Sequence, residues 1–389
     1  MTSVKDLPAA QTALVLQGGG ALGAYQAGVF EALAGADQSP DWVAGISIGA
    51  VNAAIIAGNP PERRLERLRA FWKMVSRELR YRLDSPGGFA RRAFNEASAM
   101  IAATVGVPGL FLPRFPPLQL FPEWPADLGQ LGYYDTTPLH ATLLKLVDFD
   151  LLNNGPVRFS VGAVNVLNGN FTYFDNRERT IGPEHVMASG ALPPGFPPVE
   201  IDGEWYWDGG LVSNTPLQYV LDNRPACELT VFQVDLFSSR GTVPRTMADV
   251  LQRLQDIRYS SRTRLNTDQS KKLQSLRAAA RRLAKHLPEE LQNDPDLAIL
   301  LNHQPEAPVA IMHLINRCAH YESNSKDYEF SRMTVEEHWC DGREDAAFSL
   351  AHADWIGRRH TGNTITTFDL AGDRPHGTGS ARSALGDCA

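Results

Sequence analysis

The chain has 389 residues, 43% of them hydrophobic and 21% charged, with 32 Gly, 26 Pro and a formal net charge of −7. That composition excludes a disordered chain, a collagen-like chain and a disulfide scaffold, and a pI of about 5.8 argues against a general nucleic-acid binder. Cys227, Cys318, Cys340 and Cys388 lie far apart with no CxxC spacing, which suits a reducing compartment and offers no metal site.

Leu7 to Phe30 carries no charge, but Pro8, Gln11, Gln17, Gln26 and Gly18-Gly19-Gly20 interrupt it. A spanning helix or a signal peptide would be more continuously apolar. The stretch reads as a buried strand, Thr12 to Leu16, then a loop and a helix, Ala21 to Ala34, in a cytoplasmic protein. Trp42 to Ala44 is a second strand and Ala50 to Ala57 a second helix. Glu62 to Arg82 is an amphipathic helix with Leu65, Leu68, Trp72 and Val75 on one side. This β-α-β-α alternation predicts an α/β fold with a mostly parallel sheet.

Residues 108–125 are dense in Pro and aromatics, which forbids a regular helix or a central strand. They read as an ordered loop packed on the core, or as a lid or acyl-chain flap. Asp135 to Val147 is a helix. Arg158 to Val166 and Phe171 to Phe174 form a hairpin turning at Asn168-Gly169. Glu184 to Ser189 is a short helix. Val199 to Trp207 is a hairpin turning at Asp202-Gly203, Asn214 to Leu221 a helix and Glu228 to Leu236 a strand.

Leu251 to Lys285 holds ten Lys or Arg against two acidic residues, a local charge of +8 within a chain of −7. These are solvated basic helices, or a face that meets anionic lipid. Val309 to Ile315 is a further strand and Ser331 to Gly357 a helix. The organisation expected is a catalytic domain over 8–240, a mostly helical extension over 241–360 and a frayed tail over 361–389.

Three motifs carry chemistry together. Gly18-Gly19-Gly20-Ala21-Leu22-Gly23 follows a strand and opens a helix. It also satisfies G-x-G-x-x-G, but the acid a dinucleotide fold wants after its second strand is missing. Gly45-Ile46-Ser47-Ile48-Gly49 fits the G-x-S-x-G nucleophile elbow, between strand and helix. Consecutive glycines on the neighbouring strand's loop can then aim backbone N–H groups at an oxyanion. The third motif, Asp208-Gly209-Gly210, follows Trp205, Tyr206 and Trp207, an aromatic wall expected to desolvate Asp208 and raise its pKa toward that of a base. His185, His313 and His338 remain alternative bases, as in a Ser-His-Asp esterase.

In this order the three motifs resemble the patatin-like phospholipase family, over roughly Leu14 to Leu236. Ala188 to Val199 (ASGALPPGFPPV) is also similar to that family's stretch before its aspartate. The resemblance implies a three-layer α/β/α fold and a lipid acyl hydrolase with a Ser47–Asp208 dyad and no His. It implies an oxyanion hole from Gly18, Gly19 and Gly20, with Gly45, Gly49, Gly209 and Gly210 in support, and neither metal nor cofactor. Leu22 stands where many members carry Arg or Lys, which removes a reason to favour phospholipid over neutral ester. Residues 259–264 and 327–331 are similar to the C-terminal extension of a bacterial subgroup. The expected partner is a lipid ester, with peripheral membrane contact and no nucleic acid. A non-catalytic lipid-binding protein on the same fold is the other reading.

Overall fold

The computed structural model describes residues 10–78, 89–115, 123, 125–260, 272, 276, 279–288, 291, 294–297, 307–317, 325–358 and 365–373. In chain order the named elements begin with β1 (Gln11–Leu16), α1 (Ala24–Gly35), β2 (Trp42–Gly45), α2 (Ile48–Ala57), α3 (Pro61–Val75) and α4 (Phe89–Val105). The middle holds β3 (Leu112–Pro113), β4 (Tyr134–Asp135), α5 (Thr137–Leu146), α6 (Phe149–Asn154), β5 (Arg158–Asn165), β6 (Phe171–Asp175) and α7 (Pro183–Ser189). Then come β7 (Val199–Ile201), β8 (Glu204–Asp208), α8 (Leu217–Asp222), β9 (Leu229–Asp235) and α9 (Met247–Tyr259). The last part supplies β10 (Val309–Ile315), α10 (Arg332–Ala351), α11 (Ala353–Ile356) and β11 (Ile365–Phe368).

One nine-stranded sheet runs β11-β10-β9-β1-β2-β5-β8-β7, with β6 paired to β5. The pairs from β11 to β5 are all parallel, whereas β6, β7 and β8 join antiparallel. The central strands are buried on both faces, which is why they read as apolar runs and not as alternating ones. Along β1, Leu14 and Leu16 enter the larger core with α1, α2, α3 and α10, while Ala13 and Val15 enter a smaller one under α8. The result is the expected three-layer arrangement. Every residue of α2 is buried, and its small side chains let it sit close to the sheet.

The segment beyond 240 contributes more than helices. β10 and β11 extend the same sheet past β9, and Phe330, Val335, Trp339 and Ala346 belong to the main core. The expected boundary at 240 therefore marks a change in composition and not a gap between two cores. Helices α1 and α10 meet at glycines. A Cβ on Gly28 would lie 1.9 Å from the Trp339 carbonyl oxygen, and one on Gly342 would lie 2.0 Å from that of Tyr25. Tyr25 also donates its hydroxyl to Asp345 at 2.9 Å.

Several local expectations change. Helix α3 stops at Val75, because Ser76 turns extended with its hydroxyl bonded back to Trp72 O, and Arg77 bridges to Ser331. Helix α4 had no sequence assignment. Within the Pro-rich stretch, 116–122 and 124 lie outside the described residues, and so does most of the basic stretch after 260. Cys227 is a buried free thiol, and Cys340 is disulfide-bonded. No helix among the described residues is long and apolar enough to cross a membrane.

Candidate active site

Ser47 sits between β2 and α2 with φ 54° and ψ −123°, a left-handed conformation that non-glycine residues rarely adopt. Its neighbours in the motif are glycine for a steric reason. A Cβ on Gly45 would lie 2.3 Å from the Gly49 carbonyl oxygen, and one on Gly49 would lie 2.5 Å from that of Leu16. The sharp turn thus folds onto itself and onto the end of β1. The Ser47 amide donates to Ser189 Oγ at 3.0 Å, which ties the turn to the end of α7.

Asp208 closes β8. It is 2% exposed, and Gly210 N–H donates to its Oδ1 at 2.7 Å. The Ser47 hydroxyl lies close enough to this carboxylate to favour its charged form. Burial pushes the Asp208 pKa up to about 7, against the opposing pull of the Gly210 amide and the Ser47 hydroxyl. The tryptophans of β8 are not the cause. By strand alternation Trp205 and Trp207 face away from Asp208, and neither lines the cleft above it. Gly209 packs against β5, where a Cβ would lie 2.7 Å from the Gly162 carbonyl oxygen.

The glycine loop after β1 reaches the same place, with one correction. Gly18 donates its amide to the Asn214 carbonyl at 3.2 Å, so it is already engaged and not aimed at a ligand. The amides of Gly19 and Gly20 make no such bond among the described residues, and both glycines line the cleft. Gly20 has φ +56°, and a Cβ there would lie 2.2 Å from the Asp327 carbonyl oxygen.

Polar side chains that no motif singles out hold this loop. Gln17 is fully buried: its Oε1 accepts from the amides of Leu236 and Phe237, and its Nε2 donates to Thr215 and to Tyr259 O. Gln26 donates to Gln17 O at 2.7 Å and accepts from Asn52, whose Oδ1 takes the Trp72 indole N–H at 3.1 Å. Asn214 donates to Gly18 O and Tyr259 O, each at 3.0 Å. Glutamines and asparagines carry no periodic signature, so only the fold reveals this buried chain of bonds.

Above Ser47 and Asp208 opens a cleft of about 960 Å³, including its open mouth, walled by Leu110, Phe111, Leu139, Phe196, Phe237 and Phe330 among others. Leu110 and Phe111 come from the start of the Pro-rich stretch. No histidine among the described residues lines it; His185 instead packs edge-on to Phe174. Leu22 is fully buried in the core and does not face the cleft. Among the described residues, no group of three or more His, Cys, Asp or Glu could hold a metal ion. The arrangement pairs a strained hydroxyl, a buried carboxylate and two free amides at the floor of an apolar cleft, the parts that acyl transfer requires.

Comparison with known proteins gives matches at two places. The family described as patatin-like phospholipase matches residues 14–221, and a family described as patatin phospholipase matches residues 257–362. Among solved structures, VipD from Legionella pneumophila is similar at 15% identity and a TM-score of 0.33, over 85% of this chain and 68% of that one. No curated protein matches.

Proposed function

The chain belongs to the patatin-like phospholipase family, a family of lipid acyl hydrolases, and from that premise we propose that it cleaves carboxylic esters of lipids through Ser47 and Asp208. Asp208 accepts the Ser47 Oγ proton as Oγ attacks the ester carbonyl carbon. The negative charge on the carbonyl oxygen is met by the amides of Gly19 and Gly20, at the positive end of a short helical turn. When the intermediate collapses, the alcohol leaves with the proton from Asp208, and the acyl group stays on Ser47. Asp208 then takes a proton from water, which attacks the acyl carbonyl. Fatty acid departs, and the proton returns to Ser47.

The observation that supports this reading is that the strained Ser47 and the buried Asp208, whose pKa burial raises to about 7, line one cleft together. Such a carboxylate is a stronger base than an exposed one and is still ionised in mildly alkaline solution. A histidine-based triad has no support in the cleft, since no described histidine lines it. The apolar walls suit an acyl chain.

The test is hydrolysis of p-nitrophenyl butyrate by Ser47→Ala and Asp208→Asn proteins, with fluorophosphonate labelling of the wild type. Both variants lose hydrolysis and only Ser47 is labelled. Undiminished turnover by Asp208→Asn would remove the dyad, and an unlabelled Ser47 would leave a lipid-binding protein.

A further inference from the structure

Gly19 and Gly20, the proposed oxyanion donors, each lean on a different wall. A Cβ on Gly19 would lie 2.8 Å from Leu236 Cδ1 and 3.1 Å from Phe237 Cε2, and one on Gly20 would lie 2.2 Å from the Asp327 carbonyl oxygen. The first wall follows β9, and the second is one short helical turn, Lys326–Tyr328. A third element, α9, holds the root of the loop. Its Tyr259 carbonyl accepts from Gln17 Nε2 at 3.1 Å and from Asn214 Nδ2 at 3.0 Å. Where the two amides point therefore depends on how these three elements are set against one another.

Lys326 joins all three. Its Nζ donates to Asp256 of α9 at 2.8 Å and stands 5.2 Å from the Phe237 ring centroid, and its backbone opens the turn that carries Asp327. The residue is 3% exposed and does not line the cleft. A buried ion pair adds little net stability, because desolvation offsets the attraction. It does fix a distance and a direction, which apolar contact does not. That matters for α9, which buries none of its residues. Val250, Leu251, Leu254 and Ile257 face solvent, while Gln255, Asp256 and Tyr259 are half-buried.

We propose that Lys326, through Asp256 and Phe237, is a positioning residue that sets the Gly19 and Gly20 amides toward the oxyanion. The proposal rests on the hydrolase reading and gives the segment beyond 240 a part in its chemistry. Lys326 touches neither the substrate nor the reacting atoms. Without the ion pair, α9 and the turn shift against Phe237 and the two amides no longer converge. The loss falls on the transition state, so kcat drops on the order of tenfold to a hundredfold while KM changes little.

The experiment measures kcat and KM for p-nitrophenyl butyrate in the wild type, in Lys326→Met, in Asp256→Asn and in the double variant Lys326→Met/Asp256→Leu. Each protein is also followed by thermal melting and by hydrogen exchange of the segment around Gly18, read by mass spectrometry. The Gly18 amide bonds to the Asn214 carbonyl, so its exchange reports whether the root of the loop is held, with or without turnover. Both single variants lose kcat and exchange faster at Gly18. The double variant leaves no buried charge unpaired, so it regains melting temperature but keeps the low kcat and the fast exchange. A pair that served stability alone would regain kcat together with melting temperature. Whichever of the three variants folds carries the comparison. Wild-type kcat in a folded single variant, or kcat restored in the double variant, overturns the proposal. A wild type no more active than Ser47→Ala sinks the hydrolase reading instead. Exchange at Gly18 then decides the positioning, which stands if exchange is faster in the variants and falls if it is unchanged.

Discussion

Gly45 at the end of β2 and Asp208 at the end of β8 pair with Val161 and Ala163 of the same strand, two residues apart along β5. Strand β6 spans Ser160 to Val164 on the opposite flank, so β2 and β8 share the remaining one. They approach each other end to end, one parallel to β5 and the other antiparallel. Gly162 lies between their pairing positions, and a side chain there would strike Ile46 at 2.7 Å. Ser47 and Asp208 are 161 positions apart in sequence and are brought together by this shared flank.

Asp208 gives the first prediction. As the proposed base it must be ionised, so kcat/KM for a neutral ester rises with pH and is half-maximal near the pKa of about 7. A profile flat from pH 5.5 to 8.5 would separate Asp208 from the chemistry.

The same shift has a sign in stability. The folded-state pKa is above the ordinary aspartate value of 3.8, so the folded state binds this proton more tightly than the unfolded state does. The stabilisation is complete below pH 3.8 and is lost as pH rises through about 7. Asp208→Asn removes the buried charge. Its Tm gain over wild type is therefore larger at pH 8 than at pH 5, as read by calorimetry.

Strain at Ser47 predicts an inactive but sturdier protein. With φ at 54°, glycine fits this position better than serine. Ser47→Gly abolishes hydrolysis and raises stability by about 1 kcal/mol in urea titration, the scale of one relieved strained residue.

Asn52 links α2 to α1 and α3 beneath the glycine loop. Asn52→Leu leaves the Trp72 indole N–H and Gln26 Oε1 without their partner, at a cost of about 1–3 kcal/mol for each unsatisfied buried group. Urea titration reads that loss. Because Gln26 also holds Gln17 O, kcat falls as well, with KM for a short ester little changed.

The junction of α1 with α10 gives a structural prediction. Gly342→Ala places a Cβ about where the Tyr25 carbonyl oxygen stands, 2.0 Å away. The helices must separate, and the cost is about 1–3 kcal/mol in denaturant unfolding, the usual penalty of overpacking.

The sequence made the elbow legible because its glycines answer to a local clash, and local sterics leave a fixed spacing. The same holds for the strand-loop-helix around Gly18 and for the turn at Gly209-Gly210. What was hidden depends on distance. The engagement of the Gly18 amide by Asn214 joins segments nearly two hundred residues apart. No spacing in the sequence links Asp327 to Gly20, and only the fold sets them together. Trp205 and Trp207 suggest a wall for Asp208, and only strand alternation shows that they face the other way. The end of α3 was missed because nothing in its charge pattern announces the bridge from Arg77 to Ser331.

The contact between Asp327 and Gly20 has a consequence for synthesis. Ser47, Asp208 and the glycine loop all leave the ribosome before residue 240, yet the wall that backs the loop and much of one sheet edge belong to residues beyond 300. A nascent chain halted after β9 would expose an unpaired strand edge and an incompletely walled cleft. Esterase activity is therefore expected to appear only once the late segment has emerged, so that a hydrolase of lipid is not switched on while still tethered to the translating ribosome.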